Sequence, residues 1–129
     1  MASFLSSLRK ADAQAFHLKN LRTGVVVARQ LLPAFDSETR RTGLLKHARL
    51  PDDAAMLIAP TNAIHTFFMK FPIDVAFVSR DGRVLKIRSA MPAWRMSGVW
   101  RGHAVVEMAA HALARSGTAV GDVLAIERV

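Results

Sequence analysis

The chain predicts an α+β, β-rich fold: a compact single domain with a curved or barrel-like, mostly antiparallel sheet and two short helices. Three observations carry this expectation. Its 129 residues are one domain's length, enough to bury a real core. Short runs of β-branched and aromatic residues recur, separated by Gly, Pro, Asn and Asp at barrel-like spacing. Helical signals are confined to two brief stretches.

Residues 1–15 read as a weakly ordered lead-in, because Phe4, Leu5 and Leu8 alone are too few for a helical face. The globular domain is expected over residues 16–129. Phe16 and Leu18 alternate with His17 and Lys19, the period of a half-buried strand. A hairpin loop with Gly24 then leads to a strand over residues 24–31, favoured by Val25, Val26 and Val27 and ended by Pro33. Asp36 or Ser37 caps a helix reaching about Leu45, weakened by Gly43. Residues 55–59 form a short apolar strand, and residues 64–69 are extended again. Residues 73–79 place Val75 and Phe77 on one face, and Asp81-Gly82 is a strong hairpin signal. The return strand, residues 84–88, sets Leu85 and Ile87 against Lys86 and Arg88 and should have one wet face. A long connection over residues 89–102 follows, then a strand over 103–108, a helical turn closed by Gly117, and a last strand over 120–129.

Composition narrows the function classes. Hydrophobic residues make up 51% and charged residues 22%, a globular balance. No apolar run reaches the roughly 18 residues that span a bilayer, so no membrane partner is expected. Cysteine is absent, which removes disulfides, thiolate metal sites and thiol catalysis. Phe4, Leu5 and Leu8 precede Arg9 and Lys10, the reverse of a secretory signal's order, and the expected location is the cytoplasm. Net charge is +8, with nine Lys/Arg against three Asp/Glu in residues 1–50. That excess favours an acidic partner but is scattered rather than clustered.

An ordered set of segments identifies a family resemblance. They are Arg41-Thr42-Gly43-Leu44-Leu45, Leu50-Pro51-Asp52, Met56-Leu57-Ile58, Thr66-Phe67-Phe68-Met69-Lys70, Pro72-Ile73-Asp74-Val75-Ala76-Phe77, Asp81-Gly82-Arg83-Val84, Val106-Glu107-Met108 and Gly121-Asp122-Val123. The chain over residues 16–129 resembles domain of unknown function family 192, small uncharacterised prokaryotic proteins. The resemblance implies a compact β-rich domain and no agreed activity. Many members resemble exported proteins with a signal sequence, which is not expected here from the order of residues 4–10. Phe71 and Pro72 stand where Asn and Thr follow the family's aromatic-Met-Lys core, and Ala110-His111 where a glycine is usual. Both departures bear on which ligand, if any, is bound.

The distinctive polar residues are Lys70 and Asp74. Asp74 lies in an apolar strand, and a buried carboxylate needs a cationic or hydrogen-bonding partner. Lys70 and Arg41 are the candidates. The pair reads as a structural anchor first and a ligand contact second. Glu107, between Val106 and Met108, is a second carboxylate in an apolar run. If it met Asp74 in space, the two would serve as acid and base of a hydrolase. His65, His103 and His111 match no compact metal motif, and no metal or cofactor is expected. Both tryptophans, Trp94 and Trp100, sit in the long connection, each followed by an arginine, Arg95 and Arg101. Such a loop grips an anion, stacks a ring or plugs the end of a barrel.

The leading expectation is a small cytoplasmic binding or accessory domain without catalysis. Its ligand would be small or anionic, held by Arg41, His65, Lys70, Asp74, Trp94, Arg95 and Trp100. Two alternatives remain. One is a hydrolase-type enzyme using Asp74 and Glu107. The other is a nucleic-acid binder using the basic N-terminal half with Trp94 and Trp100.

Overall fold

The computed structural model describes residues 3–129. A 3-10 segment, Lys10–Ala15, leads into β1 (Phe16–Asn20), β2 (Val26–Ala28), β3 (Gln30–Ala34), α1 (Ser37–Thr42), β4 (Ala54–Ile58) and β5 (Ala63–His65). The chain continues through β6 (Ile73–Val78), β7 (Val84–Met91), β8 (Met96–Gly98), β9 (Ala104–Ala109), α2 (Ala112–Arg115) and β10 (Leu124–Arg128).

The apolar runs read from the sequence make the centre of a five-stranded sheet ordered β3-β4-β9-β6-β7. Every residue of β4 and β6 is buried, which is why β4 reads as a continuous apolar run and β6 is apolar on both faces apart from Asp74. All pairings in this sheet are antiparallel except β3 with β4. A three-stranded sheet, β10-β1-β2, and a two-stranded ribbon, β5-β8, complete the fold. The sheets do not close into a barrel.

Strand alternation divides the core in two. On one face of the large sheet Ala55, Leu57, Ala76, Val78, Val106 and Met108 pack with Phe16, Leu18 and Leu124 of the smaller sheet and with Leu113 of α2. The other face carries Met56, Ile58, Val75, Phe77 and Val105. Leu44 and Leu50 cover one part of it, and Ile64 and Val99, from the β5-β8 region, pack against another.

Several local expectations shift. The segment before Phe16 is not a loose lead-in. Leu5, Leu8 and Ala13 are buried in the first core, and Phe4 N donates to Arg80 O. Its apolar residues are too irregular to announce a helix, but they have a core to enter. Met1 and Ala2 lie outside the described residues. The strand expected over residues 24–31 is two, and Pro33 lies inside β3 rather than ending it. That is tolerable because β3 is the sheet's edge and pairs only with β4. α1 stops at Thr42, with Asp36 accepting from Thr39 N at 2.8 Å and Gly43 at φ 50° as its C-cap. Of residues 64–69, expected to be extended, only Ile64 and His65 lie in β5, and the chain turns from Thr66 onward. β7 runs on to Met91, and its expected wet face is partly covered. The Lys86 ammonium donates to Gly98 O at 3.1 Å.

Candidate functional site

Asp74 is fully buried on β6, and its partners are backbone amides. Its Oδ1 accepts from Ala90 N at 2.8 Å and His111 N at 3.0 Å, and its Oδ2 from Leu113 N at 3.0 Å. These bonds fix two irregular places. Ala90 and His111 both have left-handed φ, 47° and 74°, and His111 precedes α2 without capping it by its own side chain. Asp74 therefore does for α2, from a neighbouring strand, what an N-cap residue does locally. Lys70 is exposed, and neither it nor Arg41 pairs with Asp74. The ion pair considered for these residues does not form, because three converging N–H groups already satisfy the carboxylate.

Glu107 lies on the opposite face. In the register of β6 with β9, Val75 stands across from Glu107 and Asp74 across from Met108. Adjacent residues of a strand point to opposite faces. Asp74 and Glu107 thus look into different halves of the core, and the acid–base pair imagined for them is not assembled.

Glu107 instead lines a cavity of about 420 Å³, between α1 with the turn after it and β5. Arg40, Arg41, Gly43, Thr61, His65 and Met69 also line it. The glutamate is only 4% exposed, and among the described residues no hydrogen bond or ion pair reaches its carboxyl. Burial alone pushes its pKa up to about 7. Arg40 is partly tied by a bond from Nη1 to Phe35 O at 2.8 Å, while Arg41 is exposed. The site has a cationic side and one deep carboxyl that exchanges its proton near neutrality. It can take an anionic group beside the arginines and a hydroxyl or amine at the carboxyl.

Beside the cavity stands an aromatic ledge. His65, a cavity residue, stacks on Phe67 at 4.8 Å between ring centroids. Phe67 stacks on Trp94 at 5.7 Å, and Phe68 tilts against Trp94 at 4.6 Å. Trp94 is 55% exposed and Phe68 70%. Both have left-handed backbone, φ 69° and 65°, a conformation costing bulky residues about 1–3 kcal/mol. Buried Thr66 holds them there. Its hydroxyl donates to Pro92 O at 2.6 Å and accepts from Arg95 N at 2.9 Å. Its amide donates to Arg95 O, and its carbonyl accepts from Trp94 N and Met69 N.

The structure thus gathers His65 and Arg41 at the cavity and places Trp94 on the ledge. Arg95 follows Trp94, with its Nη1 near the Ala93 and Trp94 carbonyls. Trp100 lies beyond the other end of the β5-β8 ribbon, 88% exposed, its carbonyl facing Asn62 Nδ2 at 3.5 Å. Neither tryptophan is a buried plug. His103 and His111 lie on separate elements from His65. Among the described residues no three His, Cys, Asp or Glu side chains cluster as a metal site. Sequence reasoning missed Arg40, Met69 and Thr61. Arg40 had a visible signal, standing next to Arg41 in a capped helix. Of the basic N-terminal half, Lys19 pairs with Glu127 and Arg22 with Asp122.

This architecture, a five-stranded sheet flanked by a smaller sheet and a ribbon, matches solved structures. A Sinorhizobium meliloti 1021 protein described as a candidate transcription regulator superposes with a TM-score of 0.73 at 20% identity, covering 84% of this chain and 89% of that one. A protein of unknown function from Novosphingobium aromaticivorans DSM 12444 gives 0.72 at 23% identity, covering 84% and 81%. At such identities the likeness is one of fold. No curated protein matches the chain. The family model of DUF192, "Uncharacterized ACR", matches residues 11–126, and the chain belongs to that family.

Proposed function

We propose that this chain is a small binding domain whose ligand carries an anionic group and sits in the Glu107 cavity. One observation carries the reading: a carboxyl 4% exposed, without a partner among the described residues, is turned into a cavity with Arg40, Arg41 and His65 on its walls. A carboxyl this deeply buried calls for hydrogen-bonding partners, and a ligand hydroxyl or amine in the cavity would supply them. Its volume falls within the roughly 300–1,000 Å³ of small-molecule sites.

Binding is preferred to hydrolysis because Asp74 is locked by amides on the other face of the sheet. The cysteine-free composition fits service in the cytoplasm. The regulator-like description of the Sinorhizobium protein adds little. α1 and α2 have six and four residues, too short for a helix that reads the major groove.

The test is a ligand-induced thermal shift across hydroxy acids, amino acids, sugar phosphates and nucleoside monophosphates. The expected result is a shift with an anionic member that Arg41→Ala and Glu107→Gln both reduce, while each variant alone remains folded. A shift unchanged in both variants would overturn the cavity as the site.

A further inference from the structure

We propose that the aromatic ledge is the second half of the same site and stacks the planar ring of a nucleotide, free or at the end of a single strand. This rests on the cavity reading above and gives its ligand a chemical class.

Continuity is the first argument. His65 belongs to both places, lining the cavity and stacking on Phe67, which stacks on Trp94. A ligand leaving the cavity past His65 meets ring faces. The second argument is that the ledge is built. Two bulky residues, Phe68 and Trp94, are held in left-handed backbone by the hydrogen bonds of a single buried threonine, yet they remain largely exposed. Core packing accounts for neither ring's position.

Charge selects the occupant. Residues 54–73 and 83–106 contain six Lys/Arg, namely Lys70, Arg83, Lys86, Arg88, Arg95 and Arg101, and no Asp or Glu. The two segments supply the whole ledge, the β5-β8 ribbon and the edge strand β7. Exposed aromatic faces with Arg95 beside Trp94, carried on segments without acids, suit rings joined to phosphate, since every base offers a π-face to stack. The cavity supplies the remaining contacts. Arg40 and Arg41 face an anionic group, and the Glu107 carboxyl accepts from sugar hydroxyls. A neutral sugar chain would leave the cations without a role. An apolar protein segment would leave Glu107 without one.

The experiment uses the full chain and its own fluorescence. The chain's two tryptophans are Trp94 and Trp100, so Trp100→Phe leaves Trp94 as the only reporter. AMP, ribose 5-phosphate and trithymidylate are titrated, with affinities taken independently by calorimetry. AMP should quench Trp94 and bind about tenfold or more tightly than ribose 5-phosphate. Trp94→Asn, in which Asn accepts the left-handed backbone, should remove that advantage while leaving ribose 5-phosphate within about twofold. A strand is the occupant if trithymidylate outbinds AMP with a steep fall in salt. A free nucleotide is the occupant if the two are equal.

The inference is overturned if neither AMP nor trithymidylate binds, or if Trp94→Asn leaves AMP affinity unchanged. In the latter case, loss of AMP in Arg41→Ala would leave the cavity reading intact. Conversely, AMP binding that needs Trp94 but is indifferent to Arg41→Ala and Glu107→Gln overturns the cavity and the two-part site together.

Discussion

Glu107 ionises under conditions set by its neighbours. In the unfolded chain its carboxyl releases a proton near pH 4.5, whereas burial raises the folded value to about 7. Between these values the folded protein keeps a proton that the unfolded chain has lost. Stability from this group is therefore highest below pH 4.5, falls as pH rises to 7, and is level above. The full penalty is about 3 kcal/mol. Glu107→Gln should accordingly stabilise the protein by up to about 3 kcal/mol at pH 8 and by nothing at pH 4. Urea unfolding at the two pH values measures this, and a difference independent of pH would mean the carboxyl titrates normally. Asp122 behaves oppositely. The Arg22 guanidinium at 2.6 Å, with Asn20 and the Ala119 amide, holds its carboxyl well below the usual range. Its contribution is present above the ordinary carboxylate pKa and is lost as pH falls through the folded value. Asp122→Asn should lower Tm at pH 7, and the loss should shrink on acidification. Asp74→Asn is a third case. It turns an NH2 group towards converging N–H donors, so a loss of about 1–3 kcal/mol is expected in denaturant unfolding, without change at the cavity on the opposite face.

At the scale of elements, the β5-β8 ribbon and the turn after it depend on close approach and on one hydroxyl. A Cβ on Gly98 would stand 2.9 Å from both Ala63 Cβ and Asn62 O, so the ribbon pairs only because position 98 has no side chain. Thr66 joins the β5 side to residues 92–95 through its hydroxyl. Thr66→Val keeps the shape and removes that bond. The expected outcome is a cost of about 1–3 kcal/mol and faster amide exchange at Trp94 and Arg95, with the large sheet unaffected. Unchanged exchange there would show that the ledge holds itself. α2 has only four residues and takes its start from Asp74 rather than from its own sequence, which is why no capping signal precedes it. α1, by contrast, carries its own cap in Asp36 and was readable from the chain.

For the whole molecule, the N-terminal segment is part of the fold. Leu8 is 2% exposed in the first core, and Gly82 at φ 90° leaves no room for a side chain between Phe4 and the Leu124 carbonyl. Leu8→Ala should cost about 2–5 kcal/mol in urea unfolding, the value of a buried leucine in a core rather than of a residue on a loose tail.

What the chain determined by itself was local. Alternation in residues 16–20, the unbroken apolar run of β4, the apolar residues flanking Asp74 in β6 and Glu107 in β9, the Asp81-Gly82 turn and the Asp36 cap follow from side-chain period and backbone preference. Those act over a few residues, so the β-rich class and the family resemblance were legible. That Asp74 would be buried and satisfied could be argued from cost; that its partners are Ala90, His111 and Leu113 could not, because they lie 16 to 39 residues away. The candidate site is more remote still from sequence. Arg41, His65 and Glu107 come from three separate parts of the chain and meet only at one face of the sheet. Which face each carboxylate took depended on the pairing register of β6 with β9, and a shift of one residue would have set Asp74 across from Glu107 on the same face. Register is a property of the assembled sheet, and the tertiary structure alone decided it.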